Sequence, residues 1–119
     1  MQRLTYATMK ALTMKKQAGE LPTTCILDVR GVDEVAAGAI PCSVNVPLDQ
    51  LEAALKLSTE DFANKYHAAK PSKADHVVTY CLRGGRAEKA ASALTADGYA
   101  NVDVYPGSWS EWAEMEKSA

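Results

Sequence analysis

Apolar and polar positions divide the chain into four short apolar runs separated by segments of helical spacing. Cys25-Ile26-Leu27-Asp28-Val29 ends in charge, and Ser43-Val44-Asn45-Val46 is stopped by Pro47. His76-Val77-Val78-Thr79-Tyr80-Cys81 is the most apolar run, and Val102-Asp103-Val104-Tyr105 is stopped by Pro106-Gly107. Short runs of this kind, rich in β-branched residues and closed by charge or proline, predict buried strands. Between them the spacing changes to that of helices. Met9, Leu12 and Ala11 share one face, with Gly19 as the stop. Asp33 to Ala37 predicts a short helix closed by Gly38, and Leu48, Leu51 and Leu55 predict another. Ser58 caps the next helix, with Asp61 at the capping-box position and Phe62 and Tyr66 one turn apart. Ala87, Ala90, Ala91 and Leu94 form an i, i+3, i+4, i+7 stripe that ends at Gly98. Ser108-Trp109-Ser110-Glu111 predicts a capping box opening the last helix. Strands alternating with helices imply an α/β fold, a parallel sheet covered on both faces.

At 119 residues the chain is the size of one domain, and no linker divides it. A hydrophobic share of 47% and a charged share of 24% are those of an ordinary globular core and surface, which sets aside disorder and low complexity. The net charge of −2 gives no reason to expect nucleic-acid or membrane-surface binding. It marks no interface either, so a monomer is the expectation. The N-terminus lacks the apolar stretch of a secretory signal, and no run reaches the ~20 residues of a membrane span. A reducing compartment, most simply the cytoplasm, is therefore expected. The three cysteines, Cys25, Cys42 and Cys81, are then free thiols. Their spacing contains no CxxC and no cysteine–histidine metal pattern.

One cysteine stands apart. Cys81 ends a strand and is followed by Leu82-Arg83-Gly84-Gly85-Arg86 and then a helix. A strand running through a glycine-rich turn into a helix gathers backbone N–H groups around one point. The helix N-terminus adds roughly half a positive charge there. Arg83 and Arg86 add full charges, and Gly84 and Gly85 admit the positive φ that lets N–H groups converge. Such a nest favours thiolate over thiol and lowers a cysteine pKa from about 8.5.

These six residues fit the C-x-x-G-x-R active-site loop of rhodanese-like domains, and the resemblance extends beyond them. Leu27-Asp28-Val29-Arg30 matches the D-x-R strand end of that family. Gly38 to Pro47 resembles its G-H-I-P-G-A-x-N-I-P stretch. Gly98-Tyr99-Ala100-Asn101-Val102 and Gly107 to Trp112 resemble its G-[FY]-x-x-V and final G-…-W segments. The segment from Leu48 to Ala74 is similar to the small single-domain thiosulfate sulfurtransferases of animals. The resemblance implies a rhodanese-like fold over residues 1–119, a short central parallel sheet of four to five strands with helices on both faces. Ala39 stands where the family has His, Cys42 where it has Gly, Ser108 at the second Gly of a pair, and Ala87 where Ser or Thr is common. The nucleophile is retained.

What the resemblance implies for chemistry is covalent sulfur transfer without a cofactor. Cys81 attacks the outer sulfur of thiosulfate, sulfite leaves, and the resulting persulfide passes to glutathione, thioredoxin or cyanide. Leu82, Arg83, Gly84, Gly85 and Arg86 would hold the substrate, with Asp28 and Arg30 at the same edge of the sheet. Asp28 and Arg30 are open between substrate contact and a structural charge network. Arg86 is open between gripping the sulfonate and bridging to an acidic group. Cys25 reads as core, and Cys42 as a surface thiol, with a regulatory disulfide to Cys81 as the lesser reading. Trp112 reads as core, whereas Trp109 is open between core and site mouth. The alternatives are a C-x4-R phosphatase or arsenate reductase and a non-catalytic rhodanese-like interaction module. Phosphatases of related fold use C-x5-R, which favours sulfur transfer here.

Overall fold

The computed structural model describes residues 1–118. Four strands, β1 (Thr24–Asp28), β2 (Ser43–Asn45), β3 (His76–Tyr80) and β4 (Asn101–Val104), form one sheet in the order β2-β1-β3-β4. All three pairings are parallel. The helices are α1 (Tyr6–Gln17), α2 (Val32–Ala36), α3 (Leu48–Leu55), α4 (Thr59–Tyr66), α5 (Gly85–Ala96) and α6 (Ser108–Lys117). The expected α/β class holds, with four strands. A fifth position is present in rudiment. Leu4 N–H donates to Val104 O at 2.8 Å, and Val104 N–H donates to Gln2 O at 3.0 Å. The segment before α1 thus runs beside β4 and occupies its outer edge, where unpaired backbone groups would otherwise face solvent.

Strand alternation sends side chains to two cores. On one face Leu27, Val77, Val102 and Val104 pack with Leu51, Ala54 and Leu55 of α3, Phe62 of α4, and Ala87, Ala90, Ala91 and Leu94 of α5. On the other, Ile26, Val78 and Tyr80 pack with Met9 of α1, Ile40, Tyr105 and Trp112 of α6. The alanine stripe of α5 lets its backbone lie close to the sheet. Thr79 Oγ1 donates to Ala87 O at 2.9 Å, fastening the helix to β3. In α1 the inward residues are Met9 and Thr13; Leu12 is half-buried and Ala11 faces solvent. Thr13 satisfies its hydroxyl on Met9 O at 2.8 Å, which makes a buried threonine tolerable there.

The last helix corrects the sequence reading. Ser108 does not cap it. Ser108 is the first helical residue, has φ +58°, and is fully buried. Its hydroxyl donates to Tyr105 O at 3.0 Å, while Glu111 accepts from the Tyr105 hydroxyl at 2.8 Å. Both ends of the expected box are committed elsewhere. By contrast Ser58 caps α4 as expected, accepting from Asp61 N–H at 3.0 Å, and Phe62 stacks on Tyr66 at 4.9 Å.

Candidate active site

The C-terminal ends of β1 and β3 meet the N-termini of α2, α5 and α6 at one edge of the sheet, where open α/β folds bind ligands. Cys81 lies there, one residue beyond β3 and only 2% exposed. The turn that follows is fixed from both sides. Gly84 has φ +109°, and a Cβ there would approach Pro106 O to 2.8 Å. Glycine is therefore required on two counts, conformation and space. Gly85 is different. It opens α5 without a positive φ and has open space beside it, so only one of the two glycines performs the expected role.

The loop carbonyls are turned outward by α6. Trp109 N–H donates to Cys81 O at 2.9 Å, and Ser110 N–H donates to Leu82 O at 3.0 Å. These bonds also satisfy donors at the start of α6 that no helical carbonyl can reach. With its carbonyls held outward, the loop presents its N–H groups to the sulfur. Gly84 N–H donates to Cys81 Sγ at 3.0 Å. The Cys81 N–H donates to Ser108 Oγ at 3.1 Å, and that hydroxyl lies 3.9 Å from Sγ. One hydroxyl proton serves either Tyr105 O or Sγ, and the shorter Tyr105 bond holds it in the resting geometry. The buried position pushes the Cys81 thiol up. The N–H groups of Ala87, Gly84 and Arg83 and the Ser108 hydroxyl together outweigh burial, so its pKa falls below the ordinary value.

Arg86 settles on one of its two readings. Its terminal nitrogens donate to both carboxylate oxygens of Glu34, at 2.6 and 2.9 Å. Glu34 also accepts the Gly31 N–H at 3.0 Å. The Arg86 guanidinium beside it holds the Glu34 carboxyl at about 2. Arg86 thus ties the loop to α2. Glu34 was not anticipated; its only signal in the sequence was a glutamate three residues after Gly31, the spacing of half a capping box.

Asp28 and Arg30 also resolve structurally. They are 0% and 1% exposed, and Arg30 Nη2 meets Asp28 Oδ2 at 2.8 Å. Asp28 Oδ1 accepts the Arg30 backbone N–H at 2.9 Å, and Arg30 Nη2 reaches Gly38 O at 2.8 Å. The Arg30 guanidinium lies 5.7 Å from the Tyr80 ring centre and 5.1 Å from that of Trp109. Of the two readings left open for this pair, substrate contact or a structural charge network, the second fits: it forms a buried foundation under the site. Trp109 belongs to it, with its ring against Gly38, where a Cβ would come within 2.7 Å.

The residues left facing solvent are Arg83, Gly85 and Lys89. With Cys81, Leu82 and Arg86 they line an open cleft of about 390 Å³. Lys89 is the one residue lining this cleft that the sequence did not single out. The other two cysteines lie elsewhere. Ser43 pairs with Ile26 and Cys25 with Val77, so Cys42 and Cys25 stand at the N-terminal end of the sheet and line one small hollow there. From Val77 to Cys81 is four residues, about 13 Å along a strand. That exceeds the span of a disulfide, which rules out the Cys42–Cys81 bridge considered above. Cys25 packs against the core, and burial pushes its thiol up to about 11.

A parallel α/β sheet with a cysteine cradled by loop amides at its C-terminal edge defines a class: a fold that presents a thiol whose ionisation the loop favours. Residues 8–115 match the rhodanese-like domain family, and the chain belongs to it. It is 42% identical over 96 residues to a rhodanese domain-containing protein of Drosophila melanogaster, covering 80% of this chain and 86% of that one. It is 38% identical over 92 residues to the thiosulfate:glutathione sulfurtransferase of Homo sapiens, covering 76% and 80%. The human single-domain sulfurtransferase TSTD1 superposes with a TM-score of 0.84 at 30% identity, over 96% of both chains. With these relatives, the chain is a sulfurtransferase of the thiosulfate type.

Proposed function

We propose that the protein moves sulfane sulfur from thiosulfate to a low-molecular-weight thiol through a persulfide on Cys81, glutathione being the acceptor. The observation that carries this reading is the cradle itself, with Sγ receiving Gly84 N–H at 3.0 Å at the base of a cleft edged by Arg83 and Lys89. The Cys81 thiolate attacks the outer sulfur of thiosulfate, the S–S bond to the sulfonate breaks, and its electron pair leaves with sulfite. The terminal sulfur of the persulfide keeps a negative charge. Loop N–H groups aimed at the developing anion stabilise it at no reorganisation cost. Arg83 is the exposed arginine that meets the sulfonate. The acceptor is carried over from the human relative, which is a thiosulfate:glutathione sulfurtransferase.

Phosphoryl or arsenate chemistry fits less well. A tetrahedral oxyanion needs the loop arginine turned inward, whereas Arg86 spends both terminal nitrogens on Glu34. A purely adhesive module has no use for a thiol whose ionisation the fold favours. Incubation with thiosulfate is expected to add one sulfur, about 32 Da, to Cys81 with release of one sulfite. The Cys81→Ser protein takes up none. A wild-type protein that gains no sulfur defeats the reading, as does phenyl phosphate turnover that depends on Cys81. The cytosol is the setting we propose, and recovery of the native protein in an organelle fraction would overturn that.

A further inference from the structure

Arg86 is neutralised by Glu34, so it brings no free charge to the cleft. The cations that remain at the mouth are Arg83 and Lys89, both exposed. Neither takes part in an ion pair among the described residues. The nearest acid in sequence, Glu88, is held by Arg3 at 3.0 Å. Asp49 and Glu52 share an adjoining groove with Lys89 but form no bond to it. Lys89 follows Arg86 by three residues and Gly85 by four, which sets it on the loop-facing side of α5. Four residues advance about 6 Å along a helix.

That offset bears on which anion the lysine meets. In thiosulfate the sulfonate is bonded directly to the sulfur under attack, so its oxygens fall within reach of the loop and Arg83. A cation one turn farther along α5 matches a charge several bonds from the reacting sulfur. We propose that Lys89 is a specificity-determining residue for the second half-reaction, binding the carboxylate of an acceptor thiol. The inference rests on the sulfur-transfer reading and adds the residue that recognises the acceptor, through the carboxylate that glutathione carries. In the step concerned, the acceptor thiolate attacks the outer sulfur of the Cys81 persulfide. A new S–S bond forms to the acceptor, the bond to Cys81 Sγ breaks, and its electron pair returns to Sγ as thiolate. The acceptor leaves as its own persulfide anion, and total charge is unchanged.

The test compares glutathione with 2-mercaptoethanol, which lacks a carboxylate, with thiosulfate as donor throughout. Lys89→Gln is expected to lower the ratio of kcat/KM for glutathione to that for 2-mercaptoethanol about tenfold, the size of one charge-assisted contact. The loss should appear in the KM for glutathione rather than in kcat, and Lys89→Arg should restore the ratio. An unchanged ratio in Lys89→Gln, whether both acceptors slow together or neither does, overturns the proposal. Single-turnover sulfite release by the wild-type protein is measured alongside. Its absence overturns the sulfur-transfer reading, and this inference with it; its presence with an unchanged ratio overturns this inference alone.

Discussion

Arg86 closes the active-site loop by gripping Glu34 through both terminal nitrogens, at 2.6 and 2.9 Å. The two residues are 52 positions apart, and their pairing joins the first turn of α5 to α2. Glu34→Gln keeps the shape of the side chain but removes its charge. The loop then loses one fixed side, and kcat/KM for thiosulfate is expected to fall about tenfold to a hundredfold, as misplacement by ~1 Å does elsewhere. The pair is a third exposed, so after discounting for solvent its worth to stability is at most about 1 kcal/mol. Because the Glu34 pKa is lowered to about 2, this contribution is complete above the unfolded value of 4.5 and is lost as pH falls toward 2. Urea unfolding at several pH values should show wild type and Glu34→Gln differing near neutrality and converging in acid.

Gly84 and Gly85 are adjacent yet should respond differently to alanine. At Gly84 the new methyl meets Pro106 O at 2.8 Å and φ is +109°. Either problem costs on the order of 1 kcal/mol or more, and relief of both moves the N–H that serves Sγ. Gly84→Ala is expected to lose about a hundredfold or more in sulfite release, at the scale of a lost oxyanion donor. Gly85→Ala places a methyl in open space at a helix start, and activity within about twofold of wild type is expected, with stability unchanged or slightly raised.

The thiols should separate by reactivity. The donors around Cys81 favour its thiolate, so persulfide formation should persist well below the ordinary thiol pKa of about 8.5 and fall only as the lowered value is crossed. Ser108→Gly keeps the positive φ but removes the hydroxyl beside Sγ. The acid limb of the rate profile and the ultraviolet thiolate titration should both move to higher pH. Cys25, pushed up to about 11 by burial, should be the last thiol alkylated by iodoacetamide at about pH 6.5, as read by peptide mass mapping. Equal labelling of Cys25 and Cys81 would contradict the cradle.

Asp28→Asn and Arg30→Met each leave one buried charge without its partner. Breaking a buried pair in this way costs about 3–5 kcal/mol, a large part of the ~5–15 kcal/mol that holds a domain of this kind together. Both variants should unfold at markedly lower denaturant than wild type. The double variant is expected to recover part of the loss, because no orphan charge remains, and a double-variant cycle measures the coupling.

The strands, the alanine stripe and the cysteine loop were legible because each depends on local pattern. Ala87, Ala90, Ala91 and Leu94 recur at helical spacing, and all four are fully buried against the sheet. Cys81 stands out because glycine, arginine and a helix start follow it directly. What the sequence concealed is tertiary. Ser108 has the spacing of a cap, but a positive φ and the neighbouring Cys81 backbone redirect its hydroxyl. Glu34 and Arg86 form their pair only once β1 and β3 lie side by side. Asp28 and Arg30 are charged residues at an active edge, a pattern shared by ligands and by foundations. Burial alone separates the two, and no linear pattern records it.

The placement of the cysteines has one more consequence. Two thiols sit at the far end of the sheet from the third, beyond the reach of any bridge. On the persulfide route proposed above, neither Cys25 nor Cys42 can relieve Cys81 of a sulfur atom. Cargo loaded at this edge would depart to a molecule that enters from outside. Turnover would then wait on the supply of that visitor and follow the acceptor concentration around the protein.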